Sequence, residues 1–156
     1  RDLIVTGVQT CALPIWDVDA VQPLFHEVFT QPPWNDDWSD TTRLRRYLLD
    51  LLEPSGSLCF GLYKQGVLIG LSLGRVLHWY SGTEYHIQEF CIKKCEQVKG
   101  LGADFLVRME PLLLQQGIES ILLSTNRTAP SYEFYRKQGF NELADYIHLY
   151  KNIPKE

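Results

Sequence analysis

The run Gln97-Val98-Lys99-Gly100-Leu101-Gly102-Ala103 has the residue types and spacing that hold an anion. Residues 86–92 before it are short, β-prone and bounded by polar residues, which predicts a strand. After it Phe105, Leu106, Met109, Leu112 and Leu113 recur at helical spacing, so a helix is expected from about Gly100. A strand entering a helix through such a turn aims several backbone N–H groups at one point. That point lies at the positive end of the helix dipole and binds phosphate oxygens. A Cβ at Gly100 or Gly102 would hold a pyrophosphate away from the backbone.

Two common phosphate loops do not fit. A dinucleotide fingerprint needs a third glycine where Phe105 stands, and no Gly-Lys-Ser/Thr tripeptide is present for a Walker loop. What remains, Gln-x-x-Gly-x-Gly/Ala opening a helix, resembles the acetyl-CoA pyrophosphate loop of the GNAT superfamily of N-acetyltransferases. A second stretch strengthens the resemblance. Residues 120–125 are strand-like, and Asn126 is followed by a short helical run carrying Tyr132 and Tyr135 and then by Gly139-Phe140. This looks like the family's other signature, in the family's order and at about its spacing. The resemblance covers residues 85–140. It implies an α+β fold with a mixed, mostly antiparallel central sheet flanked by helices. It also implies acetyl transfer from acetyl-CoA, as co-substrate, to a primary amine within a direct ternary complex.

Such a transfer requires a proton to leave the amine, a polarised carbonyl and a proton for the departing thiolate. Tyr135 matches the family position that supplies the last. Glu89 is the candidate base: strand alternation puts it opposite Phe90 and Ile92, the apolar positions before the loop. His86 and Tyr80 are its rivals. Coenzyme contacts implied by the resemblance fall on Ile92, Gln97, Val98, Lys99, Gly100, Leu101, Gly102, Ala103, Asn126 and Tyr132. Gln97 replaces a common arginine, dropping a charge that Lys99 could partly restore, and Lys94 stands where proline is common. Trp34, Asp36 and Asp37, in a turn of alternating aromatic and acidic residues, suit a cationic acceptor such as an aminoglycoside or polyamine. A protein amine stays open as acceptor. The rival class is a GNAT-like module that binds acyl-CoA and catalyses nothing.

With 156 residues, 45% of them hydrophobic, the chain can bury one sizeable core. A net charge of −4 argues against nucleic acid as partner. Arg43, Arg45 and Arg46 read as a solvated face beside Asp40 and Asp50. No apolar run approaches the ~20 residues of a membrane span, so no membrane partner is expected. Cys91 and Cys95 have no second ligand pair nearby, so no metal is expected. Cys11, Cys59, Cys91 and Cys95 are expected as reduced thiols in a cytoplasmic protein. A second copy as partner is left open.

These groups need elements to carry them. Asp17 should cap a first helix with Val21, Leu24, Phe25 and Val28 inward, Pro23 fitting only near its first turn. Ser39 or Asp40 should cap a second, with Leu44, Tyr47, Leu48 and Leu51 on one face. Strands are expected at 58–63 and 67–77 around a turn at Gln65-Gly66, with closing strands at 140–143 and 146–152. Pro111 should bend or divide the third helix, which Gly117 ends. A codon string that encodes the stretch 5–15 resembles a widely used short-read sequencing adapter. Residues 1–15 are therefore expected to be an assembly scar adding little packing, and 16–156 a single N-acetyltransferase domain. The family's first strand is then missing or replaced.

Overall fold

The computed structural model describes residues 9–156. They form two compact units, one ending at Ser124 and one of Thr125–Glu156.

The first unit is built on a five-stranded sheet in the order β1-β2-β3-β4-β5. Its strands are β1 (Thr10–Pro14), β2 (Ser57–Lys64), β3 (Val67–Trp79), β4 (Gly82–Ile92) and β5 (Ile118–Leu123). The first four pair antiparallel; β5 runs parallel to β4. The mixed, mostly antiparallel α+β architecture is therefore the expected one. Helices α1 (Val18–Phe29) and α2 (Thr41–Leu52) are capped by the Asp17 and Asp40 carboxylates, which accept from Asp19 N and Arg43 N at 2.9 and 3.0 Å. Their buried residues, among them Val21, Phe25, Leu44 and Leu48, form one core cluster with Cys59, Leu71, Leu73 and Cys91 of the sheet. Helix α3 (Leu101–Gln115) lies on the other face, where Phe105 stacks on Phe90 at 5.3 Å.

Strand β4 changes faces partway along. Tyr85 bonds Ser72 at 2.9 Å, and Ser72 stands opposite Phe90, so Tyr85 and Phe90 share the α3 face although one is odd and the other even. The register explains this: Leu73 faces Glu89 and Gly74 faces Ile87, leaving Gln88 as one extra residue. Such a bulge inverts the alternation beyond it. Gly74 is needed beside it, because a Cβ there would lie 2.3 Å from the His86 carbonyl oxygen.

Several expectations change. Pro23 and Pro111 sit inside α1 and α3, which run through them undivided. Residues 140–143 and 146–152 are not strands; a strand needs a partner ladder, and none forms there. Apart from Phe140 their apolar side chains stay exposed, Leu149 and Tyr150 each at 88%. Residues 1–8 lie outside the described residues, but Thr10–Pro14 pairs along β2 and Ile15 joins the core at 6% exposure, with its N–H 2.9 Å from Cys59 O. The first-strand place is thus filled, and 10–15 carries packing that was not expected of it.

Candidate functional site

The phosphate-loop geometry starts at the end of β4. A short 3₁₀ turn, Lys94–Glu96, follows it, and α3 begins after Gly100. Val98 and Gly100 both take left-handed conformations, with φ of 66° and 77°. Two such residues curl the backbone before the helix, whose opening N–H groups have no carbonyl one turn back to bond. The loop is also anchored. The Gln97 side-chain amide donates to Ile92 O at 2.8 Å, so Gln97 fastens the loop to the strand it leaves. Glu96 accepts from Lys64 Nζ at 2.7 Å and pairs with Lys99 at 3.6 Å. Those partners, the Lys64 bond first, hold its carboxyl below the usual range. The charge of Lys99 is thus shared with Glu96. Lys94 Nζ donates to Pro32 O at 2.8 Å, joining the loop to the turn after α1.

Beyond Ile87, which pairs with Leu123, β4 runs on through Gln88–Ile92 without β5 beside it. Glu89 stands in this stretch, turned by the bulge toward α1 and α2. Its Oε2 accepts from the Tyr47 hydroxyl at 2.5 Å. Burial pushes the Glu89 carboxyl up; the Tyr47 bond works against that, and Asp36 adds to it. Tyr47 itself is held well above the ordinary phenol, by burial first and then by Glu89. Its ring stacks on Trp38 at 5.5 Å and meets Phe25 edge-on at 6.1 Å. Asp36 is also raised by burial; the Trp38 indole lies close enough to offset this in part without forming a full hydrogen bond. Asp37 instead accepts from Ser39 N at 3.1 Å and shapes its own turn. Trp34 packs against Phe29 at 5.8 Å.

Tyr47 and Trp38 were missed from sequence. Tyr47 counted as one apolar position of α2, and only its hydroxyl could have signalled more, since a half-buried tyrosine finds a partner for its polar end. The rivals of Glu89 stand elsewhere: His86 bonds Glu84 at 2.8 Å, and Tyr80 is 89% exposed at the β3–β4 turn. Cys91 is buried, and burial pushes its thiol up, which suppresses the nucleophilic thiolate.

The second unit carries α4 (Pro130–Lys137). Asn126 Oδ1 accepts from Thr128 N at 2.9 Å and Thr128 Oγ1 at 2.8 Å, shaping the turn into α4. Tyr132 donates to Glu142 at 3.0 Å, and Glu142 also pairs with Arg127. Tyr135 meets Phe134 and Phe140 edge-on at 5.2 and 5.4 Å. Gly139 ends the helix with φ of 92°, its N–H reaching Arg136 O and that of Phe140 reaching Tyr135 O, both at 3.1 Å. This double bond pattern with a flanking apolar contact is a helix stop. It gives Tyr-x-x-x-Gly-Phe a structural reason of its own.

Comparison with known proteins gives the sequence a match over residues 18–140 to the acetyltransferase (GNAT) family. No curated protein matches. The fold resembles an aminoglycoside acetyltransferase from an uncultured soil metagenomic sample in complex with sisomicin (TM-score 0.69, 18% identity, 94% of this chain and 97% of that one). It also resembles aminoglycoside N-acetyltransferase AAC(6')-Iy in complex with CoA (TM-score 0.72, 13% identity, 96% and 99% covered). A third likeness is to ribosomal-protein-alanine N-acetyltransferase from Brucella melitensis (TM-score 0.67, 15% identity, 94% and 100% covered). At these identities the likeness is one of fold.

Proposed function

Because the chain belongs to the acetyltransferase (GNAT) family, we propose that it moves an acetyl group from acetyl-CoA to a primary amine in a direct ternary complex. The observation that carries this reading is Glu89: a half-buried carboxylate, raised by desolvation and held by one short hydrogen bond from Tyr47. A carboxyl displaced upward takes a proton more readily near neutral pH, which suits a general base for an ammonium substrate. The ammonium first gives one proton to solvent, and the lone pair so freed attacks the thioester carbonyl carbon as the C–N bond forms. As the C–S bond breaks, the amine proton goes to Glu89 and the thiolate takes a proton from Tyr135, a role that rests on the family motif.

The residues present fit the co-substrate. The left-handed pair Val98 and Gly100, with the opening N–H groups of α3 at Leu101, Gly102 and Ala103, suits the pyrophosphate. The strand stretch through Ile92 suits the rest of the coenzyme; the coenzyme roles of Asn126 and Tyr132, like that of Tyr135, rest on the family motif. Gln97 and Lys99 support the loop more than they supply charge. Asp36, with Trp34 and Asp37 in the same turn, favours a small cationic acceptor such as an amino sugar. Four free cysteines support a reducing, cytoplasmic setting. The test is acetyl-CoA with a panel of amines, sisomicin and spermidine among them, with released thiol as readout. Turnover on a cationic amine, lost in Glu89→Gln, is expected. Acetyl-CoA binding without turnover on any amine would make the protein a binding module instead.

A further inference from the structure

The base assigned to Glu89 depends on a residue from another element. We propose that Tyr47 is the positioning residue for Glu89: its hydroxyl, fixed by Trp38 and Phe25, holds the carboxylate in one orientation as it receives the amine proton. This rests on the reading of Glu89 as base. The two residues are 42 positions apart and meet only because α2 packs on the sheet face to which the bulge turns Glu89. The Tyr47 ring has little freedom between a stacked indole at 5.5 Å and a phenyl edge at 6.1 Å, so its hydroxyl oxygen is held in one place beside Glu89. A half-buried carboxylate otherwise rotates between orientations, only some of which aim a lone pair at the substrate.

The groups around Glu89 set the direction of the pH effect. Tyr47 donates from α2, Asp36 adds negative charge from the turn before it, and Gln88 and Cys91 flank it on β4, where Cys91 feels both Glu89 and Glu27 of α1. Of these, the Tyr47 bond favours the ionised form of Glu89, while burial and Asp36 oppose it. Removing the hydroxyl therefore leaves the carboxylate less stable and moves its titration to higher pH.

The test labels the full chain with δ-¹³C-glutamate and follows Glu89 by NMR, its signal assigned by loss in Glu89→Gln. In Tyr47→Phe the midpoint should rise. With an amine that turns over, the acidic limb of kcat should move the same way, leaving roughly tenfold less activity below it for each unit of displacement, while acetyl-CoA affinity stays put. Should Tyr47→Phe fail to fold, replacing Tyr47 by 2,3-difluorotyrosine preserves the shape and strengthens the donor, so the midpoint should fall. An unmoved midpoint in a folded variant overturns the proposal. A moved midpoint with full activity in Glu89→Gln leaves the hydrogen bond but removes its catalytic meaning, and with it the base reading.

Discussion

A carboxylate partly withdrawn from water has a cost that appears as a dependence of stability on pH. The folded chain binds a proton at Glu89 more tightly than the unfolded chain does, since burial raises it above the ordinary 4.5. The sign follows. Below 4.5 both states are protonated and Glu89 costs nothing; as pH climbs from there through the raised value the folded state loses stability, and the loss is constant above it. Glu89→Gln keeps an acceptor for Tyr47 and removes the charge, so it should raise the melting temperature at pH 8 and leave it unchanged near pH 4. Equal effects at both would mean that folding does not raise the Glu89 carboxyl above its ordinary value. Tyr135 makes a separate prediction. Tyr135→Phe keeps the ring contacts with Phe134 and Phe140, so stability should hold. If the hydroxyl supplies a proton, kcat falls ~10²–10⁴-fold with acetyl-CoA affinity unchanged. Near-normal turnover would leave Tyr135 as the apolar partner of the α4 stop.

Among the elements, the loop–α3 junction and the end of α4 can be tested apart. Gly102 lies in the first turn of α3, where a branched side chain would stand among the opening N–H groups. Gly102→Val should weaken acetyl-CoA binding at least tenfold, about 1.4 kcal/mol, with the fold intact. Unchanged affinity by calorimetry would put the pyrophosphate elsewhere. At Gly139 the φ of 92° excludes other residues for a different reason, backbone strain. Gly139→Ala should cost about 1 kcal/mol of stability without touching coenzyme affinity directly. Both junctions were legible in sequence because their signals are local: glycine at a stop, periodicity on either side. The Tyr47–Glu89 contact was not. It depends on where α2 lands on β4 and on a bulge, and no window of sequence contains both.

At the scale of the molecule, the N-terminal segment is where codon likeness and packing point in different directions. Ile15 is buried with Val18, Leu24 and Cys59 in the cluster under α1, and β1 holds one edge of the sheet. Ile15→Ala should cost about 2 kcal/mol, lowering the melting temperature by roughly 4–8 °C in a chain of this size. Removing residues 1–15 should cost more, since the β2 edge is then bare and open to association. A melting curve unchanged by the deletion would show that β1 adds nothing. The helices and the strands β2 to β5 were readable because each follows from one period of hydrophobicity. The expected closing strands were not, because alternation in 146–152 specifies a face but not a partner.

The extra residue at Gln88 also bears on how relatives are compared. The side of the sheet on which an acid emerges is set here by counting residues from Tyr85 to Glu89, not by the identity of the acid. A homologue one residue shorter in that interval could keep a glutamate in the same alignment column and still send it beneath α3, against Phe105. Percentage identity is blind to that difference. In this fold an insertion or deletion within β4 changes which face of the sheet its side chains occupy, while a substitution leaves the face as it is.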